Sequence, residues 1–268
     1  MMRIIKSKRF AHLLVVAVCA YGLKLYYSTA SADALRWILA PTTVVVELIT
    51  GVRFVFEPHA GYMNPDRTFL IASACAGVNF LITAFLMLSI KRLVIDRSRE
   101  TSWLYLPFAL SIAFVTTLIA NATRIIIAMQ IAKSSNENAW LHSSKFHRFE
   151  GIIVYFVFLL LLFVVTDDSR TERQRAWRYL IPLVVYYGMT LLVPFINGAD
   201  LGRGFLEHSI YVLLVPLVVV VPVSTFMLIR GRLTTSGTRL VSVQAIRKGR
   251  DSDRTVPVLY AANDISQS

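Results

Sequence analysis

The sequence is poor in cysteine and in charge. It holds two cysteines in 268 residues, so at most one disulfide can form and disulfides do not hold the fold together. Charged residues make up 16% of the chain, against about 25% in a typical soluble domain, while 56% are hydrophobic. This balance excludes a soluble enzyme, a disulfide-rich secreted scaffold and a disordered protein.

Several common functional motifs are also missing from the sequence. It has no glycine-rich phosphate loop, no cluster of metal ligands and no internal repeat, so we expect neither a cofactor nor a bound metal. The net charge of +12 could suggest nucleic acid as a partner. The basic residues instead lie between apolar runs, a pattern typical of a polytopic membrane protein, and no nucleic-acid partner is expected.

Long apolar runs predict an all-α integral membrane protein with about six transmembrane helices. About 20 apolar residues cross the hydrocarbon core of a bilayer. The predicted spans are Phe10–Tyr27, Gly77–Ile95, Trp103–Ala120, Ile152–Thr166, Tyr179–Ile196 and Ile210–Ile229. The first run follows a basic N-terminus as in a signal peptide, but its length, its end at Lys24 and the further spans favour an uncleaved helix. Lys24 is expected to extend toward the outer interface.

The basic residues predict the orientation of these spans. Of the 28 Lys and Arg residues, 19 lie at the N-terminus, in the loops 91–102 and 167–178 and in the tail after Ile229, while eight lie in the alternate connections. Because Lys and Arg accumulate in cytoplasmic loops, both termini are expected in the cytoplasm. The chain is therefore predicted to be a multi-pass protein of the cell inner membrane.

This orientation restricts the segment between the first two spans. Residues 28–76 begin and end outside, so the apolar stretch Leu35–Val52 is expected to be an interfacial or re-entrant helix on the outer leaflet. Alternation over 53–57, a turn-rich stretch 58–66 and an apolar stretch 68–72 predict a small outer β-hairpin before the second span.

The chain divides by composition into two parts. Residues 1–229 form the membrane-embedded domain. Residues 230–268 are rich in Ser, Thr, Arg and Asp and have no sustained apolar period, which predicts a basic, disordered cytoplasmic tail.

Cys75 is the first candidate for chemistry. It lies at the predicted outer start of the second span, where the positive end of the helix dipole favours a thiolate. The small neighbours Ala76 and Gly77 leave room for a substrate carbonyl to approach. An isolated cysteine in a membrane protein is more often a packing residue, and Cys19, in the middle of the first span, is interpreted in that way.

Arg124 is the second candidate, because ionisable residues near a span are costly and usually functional. Asn121 and Arg124 are three residues apart and share one helix face, about where the third span is expected to emerge outside. The simpler interpretation is an anchor that pairs with lipid phosphate. The functional one is a cation that stabilises a thiolate or a developing oxyanion.

His147 is the third candidate, just before the fourth predicted span. A loop histidine is more often simply solvated, but here it would lie at the outer surface beside the other two groups, suited to acid–base work. The weaker rivals are His142, His59 and His208. A cysteine, a proton shuttle and a cation are the minimum set for thiol acyl transfer.

These motifs together resemble the exosortase/archaeosortase family of polytopic membrane transpeptidases. The matching residues are Cys75-Ala76-Gly77, Asn121-Ala122-Thr123-Arg124 and His147 with Gly151. The compact exosortase K subfamily is similar over the run that starts at Leu39-Ala40-Pro41-Thr42, passes Glu47, Gly51 and Glu57 and ends in Ala74-Cys75-Ala76-Gly77-Val78-Asn79-Phe80. The motif-bearing core spans residues 10–166. Six predicted spans are fewer than many members of the family have.

The resemblance implies a reaction and a partner. Exosortases are held to cleave C-terminal sorting tails from exported envelope proteins and to pass the acyl group to an acceptor, whose identity the sequence does not give. By this resemblance Cys75 is the nucleophile, Arg124 stabilises the oxyanion or thiolate, and His147 carries the proton. Asn121, Gly77 and Asn79 support the site, and Asn121 is expected to orient Arg124.

Three alternatives stay open. A non-catalytic scaffold or accessory subunit of an envelope or surface-polysaccharide assembly system would keep its function after Cys75→Ser. A small transporter is disfavoured, because spans two to six contain almost no charge at mid-span. A hydrolytic membrane protease with the same cysteine differs from a transpeptidase only in its product.

Overall fold

The computed structural model describes residues 2–96, 102–134, 144–167, 180–192 and 209–222, together with Arg178 and Thr225. The predicted tail 230–268 lies outside these residues, as do His142 and His208. The helices are α1 (Met2–Thr29), α2 (Arg36–Thr50), α3 (Val78–Ile90), α4 (Tyr105–Ser134) and α5 (Ser144–Thr166), followed by Leu180–Tyr187 and Ser209–Pro222. The strands are β1 (Val55–Glu57), β2 (Gly61–Met63) and β3 (Leu70–Ile71).

Within the described residues, four helical segments are long and apolar enough to cross a membrane: Lys8–Thr29, Ser73–Val94, Tyr105–Ala132 and Phe149–Thr166. They match the first four predicted spans and confirm an all-α membrane protein. The described parts of the fifth and sixth predicted spans are shorter apolar helices, Leu180–Leu191 and Ser209–Pro222. The cytoplasmic position of both termini stays a prediction.

The helix α3 is the centre of the bundle. It packs against α1, α4, α5 and the helix Leu180–Tyr187, and ten of its thirteen residues are buried. Its sequence is apolar on every side, as expected of a helix that neighbours surround. By contrast, α1 exposes large apolar side chains such as Phe10, Val18 and Tyr21. The chain therefore passes from Cys75, through Ala76 and Gly77, into α3, the helix that its neighbours enclose most.

The helix α2 is too short to cross a bilayer. Its 15 residues span about 22 Å at 1.5 Å per residue, less than the roughly 30 Å hydrocarbon core. It packs along α4 through buried residues that include Ile38 and Leu39, and it ends at Gly51, which has a left-handed φ of 70°. This agrees with the prediction that the apolar stretch Leu35–Val52 is not a full span.

The two strands of the predicted hairpin are the edge strands of a three-stranded antiparallel sheet with the order β1-β2-β3, and each pairs with β2 instead of with the other. Tyr62 pairs with Phe56 on one side and with Ile71 on the other. The middle strand lies inside the stretch predicted to be only a turn, which is a correction. Gly61 allows it, because its φ of 128° is open to glycine and a Cβ there would collide with the Ile71 carbonyl oxygen.

Side chains attach this sheet to the helices. The Glu47 carboxylate accepts a hydrogen bond from the Phe54 N–H at 2.6 Å. The buried Asn64 side chain closes the β2–β3 loop by accepting from the N–H groups of Thr68 at 2.9 Å and Phe69 at 2.8 Å. The sheet thereby holds β3 in place immediately before the turn that contains Cys75.

Candidate functional site

Cys75 closes a single 3₁₀ turn, Ser73–Cys75, between β3 and α3. Its N–H donates to the Ala72 carbonyl at 2.8 Å, and the free thiol is partly exposed. Gly77 then caps α3 with a left-handed φ of 70°. The nucleophile candidate thus lies in a tight turn just before the helix rather than within its first turn.

Gly77 brings this turn close to α4. A Cβ at Gly77 would lie 3.1 Å from Cγ of Asn121 and 3.3 Å from Cγ2 of Thr117, closer than ordinary van der Waals contact. Any side chain would also be strained at this φ. Gly77, which is predicted to leave room for a substrate, therefore also allows Asn121 to approach the turn.

Asn121 is fully buried and binds the Cys75 main chain. Its Nδ2 donates to the Cys75 carbonyl oxygen. Since that oxygen can only accept, the amide nitrogen must face Cys75 and the amide oxygen must face the other way. The residue predicted to orient Arg124 therefore also fixes the backbone that carries the thiol.

Tyr155 on α5 connects Asn121 to Arg124. Its hydroxyl donates to Asn121 Oδ1 at 2.9 Å and accepts from Arg124 Nη1 at 2.7 Å. Its ring stacks on Phe80 of α3, with 5.0 Å between ring centroids. Three hydrogen bonds consequently run in one direction, from the Arg124 guanidinium through Tyr155 and Asn121 to Cys75, and aligned bonds of this kind polarise one another.

Arg124 lies inside α4 rather than at the end of the helix, which extends beyond the predicted boundary at Ala120 to Ser134. Its Nε is 3.6 Å from the position that a Cβ on Gly151 would occupy, so the glycine lets α5 pass close to the guanidinium. Glu150 is 6% exposed, and its carboxylate interacts electrostatically with Arg124. The guanidinium is therefore half-buried against α5, with the Glu150 carboxyl group within electrostatic range.

The helix α1 adds two polar side chains to the site. Lys24 Nζ donates to Asn79 Oδ1 at 3.0 Å, so Lys24 binds a side chain of the site. The Tyr27 hydroxyl interacts electrostatically with both Cys75 and Arg124. Asn79, expected only as a supporting residue, therefore links α1 to the helix that follows Cys75.

His147 lies at the start of α5, which begins at Ser144, and one helical turn before Gly151. Its side chain is outside the described part of the structure. Among the rivals, His59 lies in the turn between β1 and β2 and pairs with Asp33 at 3.0 Å. Among the described residues, no group of three or more His, Cys, Asp or Glu side chains is placed so that it could hold a metal ion.

The structure thus joins Cys75, Asn121 and Arg124 through hydrogen bonds, and it includes residues that the sequence analysis missed. Tyr155 and Tyr27 occur within apolar runs, where a tyrosine resembles any aromatic core residue. The only available signal was the hydroxyl itself, because a buried tyrosine hydroxyl needs a partner.

Tyr155→Phe is expected to lower the turnover of this site by about tenfold to a hundredfold with little change in KM. The ring and its stacking stay, but Asn121 and Arg124 lose their shared partner, and a hydrogen bond to a charged group contributes about 1.5–3 kcal/mol. The measurement is steady-state cleavage of a sorting tail, the reaction that the sequence resemblance implies, by purified protein. Tyr105→Phe is the matched control, since that hydroxyl donates to the Leu88 carbonyl at 3.0 Å at the other end of α4. Equal kcat values for both variants would contradict this role.

Fold and site together define a class: a multi-helix membrane protein with a cysteine turn linked by hydrogen bonds to a half-buried arginine. Comparison with protein families gives the same result, since the model for transmembrane exosortases (Exosortase_EpsH) matches residues 4–164. The chain belongs to the transmembrane exosortase family. No curated protein matches it, and no solved structure does. The exosortase K subfamily stays a prediction.

Proposed function

We propose that this exosortase is a membrane cysteine peptidase or transpeptidase that removes C-terminal sorting tails from exported proteins. The observation that carries the proposal is the series of hydrogen bonds from Arg124 through Tyr155 and Asn121 to the Cys75 carbonyl. It joins two of the matched motifs, the Cys75 turn and the α4 segment with Asn121 and Arg124, through Tyr155 of α5, and Gly151 of the third motif lies against Arg124. A packing cysteine needs no such support.

The reaction proceeds by two acyl transfers. The Cys75 thiolate attacks the scissile carbonyl, and Arg124 stabilises the negative charge that develops at the site. The C–N bond then breaks, His147 supplies the proton to the leaving amine, and the N-terminal part of the substrate stays on Cys75 as a thioester. An acceptor nucleophile, water or an envelope component, gives its proton to His147 and attacks the thioester, which transfers the acyl group to the acceptor and releases the Cys75 thiolate.

The site is proposed to lie on the outer face of the cell inner membrane. The asymmetry of Lys and Arg between alternate connections supports this orientation. Substrates would be exported proteins that are still anchored by a C-terminal helix, so the protein meets its partner within the lipid bilayer.

The test is cleavage of a membrane-anchored reporter with analysis of the product. An exported domain carrying a candidate sorting tail is expressed with the wild-type protein, and the released domain is analysed by mass spectrometry. We expect a shortened domain whose new C-terminus is either a free carboxylate, for hydrolysis, or an added group, for transfer. A tail that stays intact with every candidate from the same genome would contradict the proposal and favour a scaffold.

A further inference from the structure

The strand β3 forms one edge of the outer sheet, and the chain continues from it directly to Cys75. The strand order β1-β2-β3 leaves β3 with a hydrogen-bonded neighbour on one side only among the described residues. Ala72 follows Ile71 in an extended conformation, with φ −83° and ψ 175°, and the turn Ser73–Cys75 comes next. The open edge therefore ends three residues before the nucleophile.

The backbone groups on the open edge can be assigned from the pairing. The Phe69 carbonyl accepts from the Asn64 N–H at 3.2 Å, and the Ile71 carbonyl faces Gly61, so both point toward β2. Successive residues of a strand direct these groups to opposite sides. The N–H and C=O of Leu70 and the N–H of Ala72 accordingly point away from the sheet.

Leu70, which carries two of these outward groups, is 37% exposed. Within the part of the chain that the structure describes, the Leu70 and Ala72 N–H groups have no recorded acceptor. The Ala72 carbonyl is already used by the Cys75 N–H, which closes the edge at the turn. The outward groups are therefore a donor, an acceptor and a donor: the Leu70 N–H, the Leu70 C=O and the Ala72 N–H. They end at the residue before the turn Ser73–Cys75.

We infer that the open edge of β3 binds an extended segment of the substrate polypeptide by β-strand addition, which directs its scissile bond to Cys75. The inference rests on the proposed function and names how the substrate is held. Alternating donors and acceptors match the main chain of an extended peptide, whereas a lipid acyl chain offers neither. The other edge, at β1, lies about 10 Å away across two strand spacings and does not lead to the cysteine.

Ala72→Pro tests the inference, because it removes one outward N–H and puts a ring carbon in its place. The φ of −83° at Ala72 is close to the roughly −65° that proline requires, and the extended residue before it suits a proline. Ala72→Ser is the matched control, since it keeps the N–H and adds a single atom. Both variants are made in full-length protein that also carries Cys19→Ala, so that Cys75 is the only thiol.

Two thiol reagents separate docking from reactivity. The peptide probe is the chloromethyl ketone acetyl-Val-Val-Gly-CH₂Cl, from which the Cys75 sulfur displaces chloride, and the small probe is iodoacetamide. Strand addition is tolerant of side chains because it uses the main chain, so this simple peptide is sufficient. We expect Ala72→Pro to slow the peptide reaction by about tenfold and to leave the iodoacetamide rate unchanged within about twofold. Methylation of the central peptide nitrogen should slow the reaction of Ala72→Ser in the same way.

Each outcome decides a different point. Equal peptide rates for the proline and serine variants would overturn strand addition, as would a methylated peptide that reacts with Ala72→Ser as fast as the unmodified one. If Ala72→Pro slowed the reactions of Cys75 with the peptide probe and with iodoacetamide equally, the substitution would have displaced the turn. This result would also overturn the inference. A Cys75 that reacts with neither probe in the Cys19→Ala background would instead contradict the proposed function.

Discussion

Cleavage of a sorting tail is expected to stop when Cys75 is replaced by alanine, with a fall in rate of about a thousandfold or more. Both acyl transfers of the proposed reaction pass through this thiol, and loss of the nucleophile leaves only the residual effect of binding and electrostatics. Alanine fits the site, because the turn Ser73–Cys75 is held by main-chain bonds and by the Asn121 bond to the Cys75 carbonyl. The variant should therefore fold and bind substrate without cleaving it.

The matched control for this experiment is Cys19→Ala. Cys19 is a free, exposed cysteine on α1 and has no place in the site, so its loss should leave the rate within about twofold of wild type. Reporter cleavage in membranes, normalised to the amount of each variant, gives both rates. Cleavage that continues at an unchanged rate in Cys75→Ala would remove the cysteine from the mechanism and favour the scaffold interpretation.

Arg124→Gln is expected to lower kcat by about a hundredfold or more. Removing one preorganised donor at a developing oxyanion costs about 10² to 10³ in rate, and here a positive charge is lost as well. The change also removes the Nη1 donor to Tyr155, which frees the hydroxyl that holds Asn121. Steady-state cleavage of the reporter by purified protein measures this effect.

Stability must be separated from catalysis in this variant, because the buried Glu150 loses a neighbouring cation. The double variant Arg124→Gln with Glu150→Gln removes both charges, and we expect it to recover thermal stability but not activity. Arg92→Gln is the matched control, since Arg92 lies 5.4 Å over the Tyr105 ring just as Arg124 lies 5.4 Å over the Tyr155 ring. A double variant as active as the wild type would contradict a catalytic role for Arg124.

The sequence was sufficient to predict the features that depend on long apolar runs and on local alternation. Four spans, the short helix α2 and a β-hairpin before Cys75 are confirmed by the described residues. Such features follow from hydropathy over many residues, or from the lack of length to cross a bilayer. Their boundaries were less predictable. The polar residues Asn121 and Arg124 indicated a helix end after Ala120, whereas buried partners let α4 continue to Ser134.

The parts of the site that sequence reasoning missed depend on contacts between distant segments. Tyr155 is 34 residues from Asn121 and 31 from Arg124, and hydropathy gives no sign of a polar contact there. Lys24 was expected to reach the interface, but its bond to Asn79 spans 55 residues. The middle strand of the sheet was missed because three residues within a turn-rich stretch do not form a recognisable pattern. Each of these features is set by tertiary packing.

The measurement that tests the account most directly is the sidedness of Cys75. Intact spheroplasts that express the Cys19→Ala protein are treated with a charged thiol reagent that does not cross the membrane, before and after permeabilisation. The proposed site requires Cys75 to react in intact spheroplasts, at a rate that permeabilisation does not raise. Labelling that needs permeabilisation would put the cysteine on the cytoplasmic side, and the proposed processing of exported proteins would then be wrong.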